Sequence, residues 1–319
     1  MVNNDENDIN IYRSGRQGIR CQWNRISSRC RKSDRNMTTA DSVIEEIVET
    51  IARSASEIHH GLSQRRGHID AENPSGETQA EADIFADELL AERLTAIDGV
   101  SQYASEEQSE VIDCDGEGVS VTVDPIDGTS NLRSNNLVGT VFGIYDEPLP
   151  ALGTALVGAG YVIYGPVTTM TYACNGTVSK YALTEGKRTL IHDNYTIPND
   201  PVVYGFGGLK STWPDNFRKF AREIEKELNL HYCGAMIADV DAVLTNGGIF
   251  AYPSLRDSPD GKLRLQFEGN PIGYIVESAG GRSSDGTRSM LEVEPNGLHD
   301  RVPFHVGTTG LIERLESAL

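Results

Sequence analysis

The sequence predicts an α/β fold with α+β layering, helix and sheet layers stacked in turn, and three observations carry that expectation. Between residues 41 and 58, Val43, Ile44, Ile47, Val48, Ile51, Ala55 and Ile58 recur at the spacing of one helix face. From 119 to 183, apolar and β-branched runs follow one another between Gly and Pro, as successive strands do. Beyond residue 200 helical and strand patterns mix without a regular βαβ beat, which favours layered sheets.

Taken in order, residues 1–36 are polar and Arg-rich, with eight Arg/Lys against four Asp/Glu and no apolar core of a signal peptide. They predict a disordered extension, or a start codon assigned too far upstream. Met37-Thr-Thr-Ala-Asp41 opens the first helix. A second helix is expected over 77–97, with Ile84, Phe85, Leu89, Leu90 and Leu94 as its buried stripe. Strands are expected at 119–123, 137–145, 154–164, 167–173 and 178–183, with Asn175-Gly176 as a tight hairpin turn. The Pro-containing stretch 198–201 separates a lobe over 37–200 from one over 201–319. The second lobe predicts a strand at 202–206, helices at 215–228 and 236–244, and a strand pair at 249–252 and 262–267. Asn270-Pro271 reads as an N-cap followed by Pro, and Gly280-Gly281 as a helix stop.

The net charge is −19, from 47 acidic against 28 basic residues. That balance argues against nucleic acid or an anionic membrane as partner. No apolar run approaches 18 residues, so no membrane span is expected. Only seven residues are lysine: 32, 180, 187, 210, 219, 226 and 262. Many carboxylates with few lysines resemble adaptation to high salt. The five cysteines, Cys21, Cys30, Cys114, Cys174 and Cys233, show no C-x-x-C spacing. A disulfide framework or a zinc site is therefore not expected, and a reducing cytoplasm is.

Chemistry concentrates at Val123-Asp-Pro-Ile-Asp-Gly-Thr-Ser-Asn-Leu132. Asp124 ends an apolar strand, the place where α/β folds present ligands. With Pro125 fixing the backbone, Asp124, Asp127 and the Ile126 carbonyl can converge on a hard cation. Gly128 permits close approach, and the amides of Gly128, Thr129 and Ser130 suit a phosphate. An Asx-rich turn is the bland alternative. Glu77 with Asp83, Glu106 with Glu107, and Glu268 make the charge an ordered set. Lys262 and Arg264 alternate along an expected strand, so both face one side. His59-His60 has no third ligand nearby and reads as a solvated helix end.

Asp-Pro-Ile-Asp-Gly-Thr-Ser-Asn strongly resembles the signature of the lithium-sensitive, metal-dependent phosphatases, which include inositol monophosphatases and fructose-1,6-bisphosphatases. The segments 138–145, 159–165, 232–240, 247–253, 258–265, 268–271 and 279–281 resemble the latter family in order, across nearly all of 37–319. The resemblance implies an αβαβα sandwich of the sugar-phosphatase type and Mg²⁺-dependent hydrolysis of fructose 1,6-bisphosphate. Two or more Mg²⁺ ions, or Mn²⁺ in their place, would be held by Glu77, Glu106, Asp124, Asp127, Glu268 and the Ile126 carbonyl. Two such ions can stabilise attacking and leaving oxygens together. Asp83, Glu107 and Thr129 would orient and deprotonate the attacking water. Gly128, Thr129 and Ser130 would receive phosphate; Tyr232, Met236, Tyr252, Lys262 and Arg264 would bind the sugar bisphosphate. A homo-oligomer, dimer or tetramer, is implied. Two departures stand out: His231 replaces the family's Arg, and Phe206-Gly-Gly-Leu209 its Asn-Glu-Gly-Tyr. The residues flanking the signature strand do not match the family's AMP site, so inhibition of that type is not expected. Inositol monophosphate or sedoheptulose bisphosphate as substrate, and a non-catalytic sugar-phosphate sensor, remain the alternatives.

Overall fold

The computed structural model describes residues 39–65, 67–74 and 78–319. Residues 1–36 with Cys21 and Cys30, and the candidate ligand Glu77, lie outside them. The periodic stripe forms helix α1 (Thr39–Leu62), with Ile44, Ile47, Val48, Ile51, Ala55 and Ile58 buried. Each of the larger side chains contributes about 1.5–3 kcal/mol by leaving water. A short antiparallel pair, β1 (His68–Glu72) and β2 (Thr78–Ala80), leads into α2 (Glu81–Leu94). Helix α2 is shorter than expected, and its buried face, Ala82, Asp83, Ala86, Asp87, Leu90 and Leu94, shares only Leu90 and Leu94 with the expected stripe. Ile84, Phe85 and Leu89 are only half-buried, and Phe85 lies under the Arg65 guanidinium. The stripe is rotated because two aspartates point inward to polar partners.

Eight strands then build one sheet: β3 (Val100–Ser105), β4 (Ile112–Asp113), β5 (Val119–Asp127), β6 (Val138–Tyr145), β7 (Leu156–Tyr164), β8 (Thr169–Cys174), β9 (Thr177–Thr184) and β10 (Lys187–His192). Their order is β10-β9-β8-β7-β6-β5-β3-β4, antiparallel except where β3 runs parallel to β5. The second sheet follows β11 (Val203–Phe206), α3 (Asp215–Glu227), β12 (Asn229–Leu230), α4 (Met236–Asn246) and β13 (Gly248–Tyr252). After β14 (Leu263–Arg264), a π-helical turn at Leu265–Gly269 runs into α5 (Asn270–Ser278). Then come β15 (Arg282–Ser284), β16 (Arg301–Val302), β17 (Phe304–Gly307) and α6 (Thr309–Ala318), giving a second sheet of order β12-β11-β13-β17-β15.

Three apolar clusters separate the layers. One lies between α1, α2 and the large sheet; a second joins the other face of that sheet to α4, α5 and the small sheet. The third packs α3 and α6 on the far side of the small sheet. The result is the expected αβαβα sandwich, within one compact unit spanning Val43–Leu319.

Two local expectations are corrected. Residues 262–267 are not one strand beside 249–252. Only Leu263–Arg264 is extended, it pairs with β16, and the chain then coils into the π turn. Asn270 is not the N-cap of α5; the turn leads directly into the helix, with Gly269 at the cap position.

Candidate active site

All nine residues of β5 are buried, and its end carries the acidic pair. The β5–β6 register slips between Asp124, opposite Val141, and Asp127, opposite Gly139. Pro125 cannot donate to the ladder. Its carbonyl instead accepts the Thr140 hydroxyl at 2.8 Å, and the Tyr164 hydroxyl lies 2.8 Å from the same Thr140 oxygen. This bulge turns Asp124 and Asp127 to one side. Gly128 follows at φ +82°, where an added Cβ would stand 2.4 Å from the Ala235 Cβ. The chain then enters a 3₁₀ turn at Thr129–Ser134.

Glu268 reaches the same place from the π turn, a feature frequent at functional sites. Carboxylate oxygens of Asp124, Asp127 and Glu268 lie within 4.8 Å of one another, with all three side chains buried. Asp127 is held by the Ile237 N–H at 3.0 Å, in the first turn of α4. Glu268 accepts the Arg264 N–H at 2.7 Å. Burial first, then the neighbouring carboxylates Glu106, Asp127 and Glu268, pushes the Asp124 carboxyl well above its ordinary range. Burial, with Glu268 next, pushes Asp127 up to about 7. Three carboxylates buried within reach of one another are the donor set a hard divalent cation satisfies, so these residues fit a metal of the Mg²⁺ type.

Parallel pairing of β3 with β5 brings the Glu106–Glu107 pair alongside, and the Glu106 N–H donates to the Val123 carbonyl at 3.0 Å. Glu106 forms a buried ion pair with Arg264 at 2.6 Å and stands outside the three-carboxylate group. Arg264 is 4% exposed and lines the cleft beside Glu106. Glu107 lines the cleft, with the Asn73 amide 3.5 Å from its carboxylate. One Asp83 oxygen accepts the Ala80 N–H at 2.9 Å, closing the start of α2, and the other accepts the Thr129 hydroxyl at 2.7 Å. That hydroxyl also lies 2.9 Å from the Ile126 carbonyl oxygen.

These groups line a cleft of about 270 Å³ together with Gly128, Ser130, Tyr232, Met236, Tyr252 and Lys262. Every described residue named from the sequence is therefore gathered here, and Glu77 is outside the description. Met236 contributes mainly backbone: its side chain packs in the central core and its amide, like that of Ile237, favours the charged form of Asp127. Lys262 is exposed, 5.7 Å from the Tyr252 ring centre. Tyr232 is 49% exposed, and burial of its remainder pushes its hydroxyl up to about 12. Sequence reading missed Asn73 and Asp239. Asp239, at the first turn of α4, takes the Cys233 N–H at 2.9 Å and lies 3.2 Å from His231 Nδ1. It thereby fixes the loop that carries Tyr232. No local pattern marks either residue; the Asp at the start of a helix was the one available signal.

Two family matches cover most of the chain. Residues 21–193 match the fructose-1-6-bisphosphatase N-terminal domain family and residues 197–319 the C-terminal domain family. A "Fructose-1,6-bisphosphatase class 1" of Natronomonas pharaonis is 54% identical over 278 residues, covering 86% of this chain and 98% of that protein. A "Fructose-1,6-bisphosphatase class 1 1" of Haloarcula marismortui is 48% identical, covering 89% and 97%. The crystal structure of Leishmania major fructose-1,6-bisphosphatase in holo form superposes with a TM-score of 0.82 at 25% identity, covering 88% and 98%. Five layers, the buried carboxylate group at the end of β5 and these likenesses agree, and the chain belongs to the class 1 fructose-1,6-bisphosphatase family.

Proposed function

We propose that this chain hydrolyses the 1-phosphate of fructose 1,6-bisphosphate in a Mg²⁺-dependent reaction. The observation that carries the reading is the buried group Asp124–Asp127–Glu268 at one end of a cleft whose other end offers Tyr232, Tyr252 and Lys262. Asp124, Asp127, Glu268 and the Ile126 carbonyl would hold the cations, Mg²⁺ or Mn²⁺, with Glu106 beside them. Bound there, such ions supply Lewis-acid stabilisation of the phosphoryl oxygens and a more acidic water.

The chain's own groups do the rest. Glu107, half-buried on the cleft wall, accepts the proton of the attacking water. Asp83 holds Thr129 by its hydroxyl proton, which leaves the Thr129 oxygen lone pairs and the turn amides facing the cleft. Arg264 offsets the charge of Glu106. Lys262 and the two tyrosine hydroxyls bind the distal phosphate. Exposed Leu230 supports self-association as a dimer or tetramer, and among the described residues three free thiols, Cys114, Cys174 and Cys233, support a reducing cytoplasm. Among the described residues no helix is long and apolar enough to cross a membrane.

Phosphate release from fructose 1,6-bisphosphate, sedoheptulose bisphosphate and inositol monophosphate, with and without Mg²⁺, tests this. The first is expected to be turned over fastest and only with the ion. Glu107→Gln is expected to lower kcat by about 10²–10⁴-fold with KM little changed. Full turnover by that variant would refute the role given to Glu107, and no turnover of any of the three sugars would favour the sensor.

A further inference from the structure

The turn that carries Glu268 has an orphan carbonyl, and the sequence shows why. Within Leu265–Gly269 the Asn270 N–H closes back on the Leu265 carbonyl. The next carbonyl in the series, that of Gln266, would take the N–H of residue 271, which is proline and has none. Gln266 is completely buried, so water cannot take the bond. Two buried hydroxyls do: Thr122 Oγ1 donates to the Gln266 carbonyl at 3.1 Å and the Tyr145 hydroxyl at 3.2 Å. The Gln266 side chain ties the same turn to the Ala151 backbone, accepting its N–H at 3.1 Å and donating to its carbonyl at 2.8 Å.

The donors are placed on the strand that supplies the other ligands. Thr122 and Asp124 are two apart on β5 and face one side, while Gln266 and Glu268 are two apart on the turn. One contact between residues 144 apart in sequence thus sets the two carboxylate-bearing segments in register. Strand β6 makes room for it. Gly143 pairs with Thr122, and a Cβ there would stand 2.9 Å from Thr122 Oγ1 and 3.0 Å from the Tyr145 ring.

We propose that Thr122 and Tyr145 are positioning residues which, through the Gln266 carbonyl, set the spacing of Glu268 from Asp124 and hence the affinity of the carboxylate group for its divalent cation. The inference rests on the metal reading above and adds residues that touch neither ion nor substrate. It is tested on the full chain with Thr122→Val/Tyr145→Phe, Tyr145→Phe alone, and Thr122→Ser, which keeps the donor. Mg²⁺ binding is read by calorimetry, and by the rise in Tm that the ion produces. The double variant is expected to bind Mg²⁺ about 10-fold or more weakly, the usual effect of losing such a supporting contact. Its kcat at saturating Mg²⁺ is retained, Tyr145→Phe falls between, and Thr122→Ser binds as the unaltered chain does. A double variant, or Tyr145→Phe where the double does not fold, that melts lower yet binds Mg²⁺ with unchanged affinity overturns the inference. An unaltered chain that binds no Mg²⁺ overturns the metal reading as well.

Discussion

Replacing Gly128 by alanine puts the packing of the signature turn to a quantitative test. At φ +82° an L side chain costs about 1–2 kcal/mol. The new Cβ would also meet the Ala235 Cβ at 2.4 Å and the Ala235 Cα at 3.0 Å, and Ala235 is fully buried. Forcing an extra methyl into a filled interior costs about 1–3 kcal/mol. The two together give a loss of about 2–5 kcal/mol, a large part of a typical domain's stability. The clash also pushes the start of α4, where the Ile237 N–H holds Asp127 at 3.0 Å, away from the carboxylate group. Urea unfolding of Gly128→Ala, Ala235→Gly and the pair separates the contributions. Ala235→Gly removes the obstructing methyl, so the pair should recover the packing part and retain only the strain. A Gly128→Ala protein within about 0.5 kcal/mol of the unaltered chain would refute the reasoning, being less than the strain by itself. So would a double variant no more stable than Gly128→Ala.

Thr140→Val leaves the Pro125 carbonyl and the Tyr164 hydroxyl buried without their shared partner, a loss of about 1–3 kcal/mol in urea unfolding that Thr140→Ser should largely restore. Burial pushes the His305 imidazole down from 6.5 to about 3, so the fold favours its neutral form. Its contribution is complete above pH 6.5 and is lost as pH falls toward 3, amounting to about 2 kcal/mol by pH 5. Stability measured from pH 8 to 5 should show that decline, and His305→Asn should be flatter whatever its starting stability.

The parts legible in the sequence were those whose physics is local. The strand carrying Asp124 announced itself by its apolar run, Pro125 and Gly128, and α1 by its stripe. Helix α2 was mis-phased because its inward face answers to distant partners. Asp83 turns to Thr129, while Asp87 takes the Tyr103 hydroxyl at 3.1 Å and the Gln108 amide at 2.8 Å. No apolar count along 81–94 reveals that. The strand expected over 262–267 failed for a similar reason. Leu265 and Phe267 are apolar, yet Gln266 bonds to Ala151 across the fold, and the chain coils to satisfy it. The carboxylates themselves could be named one by one. That Arg264 is set against Glu106 could not, since β14 and β3 belong to different sheets.

The two ends of the cleft differ in their exposure to salt, and this bears on why lysine is so scarce. Asp124, Asp127, Glu106 and Glu268 are at most 7% exposed, so dissolved ions screen their attraction for a cation poorly. Lys262 and Tyr232 stand in water. At 1 M salt the screening length is about 3 Å, and a surface ammonium then attracts phosphate only at contact. Adding lysines at that end would bring little affinity in strong brine. Hydrogen bonds from Tyr232 and Tyr252 depend on contact and are not weakened in the same way. On the proposed binding of the distal phosphate, one lysine beside two tyrosine hydroxyls suits recognition where charge acts only at short range. The −19 net charge then does not oppose the proposed chemistry, because an acidic surface concentrates cations of the kind the buried carboxylates would hold.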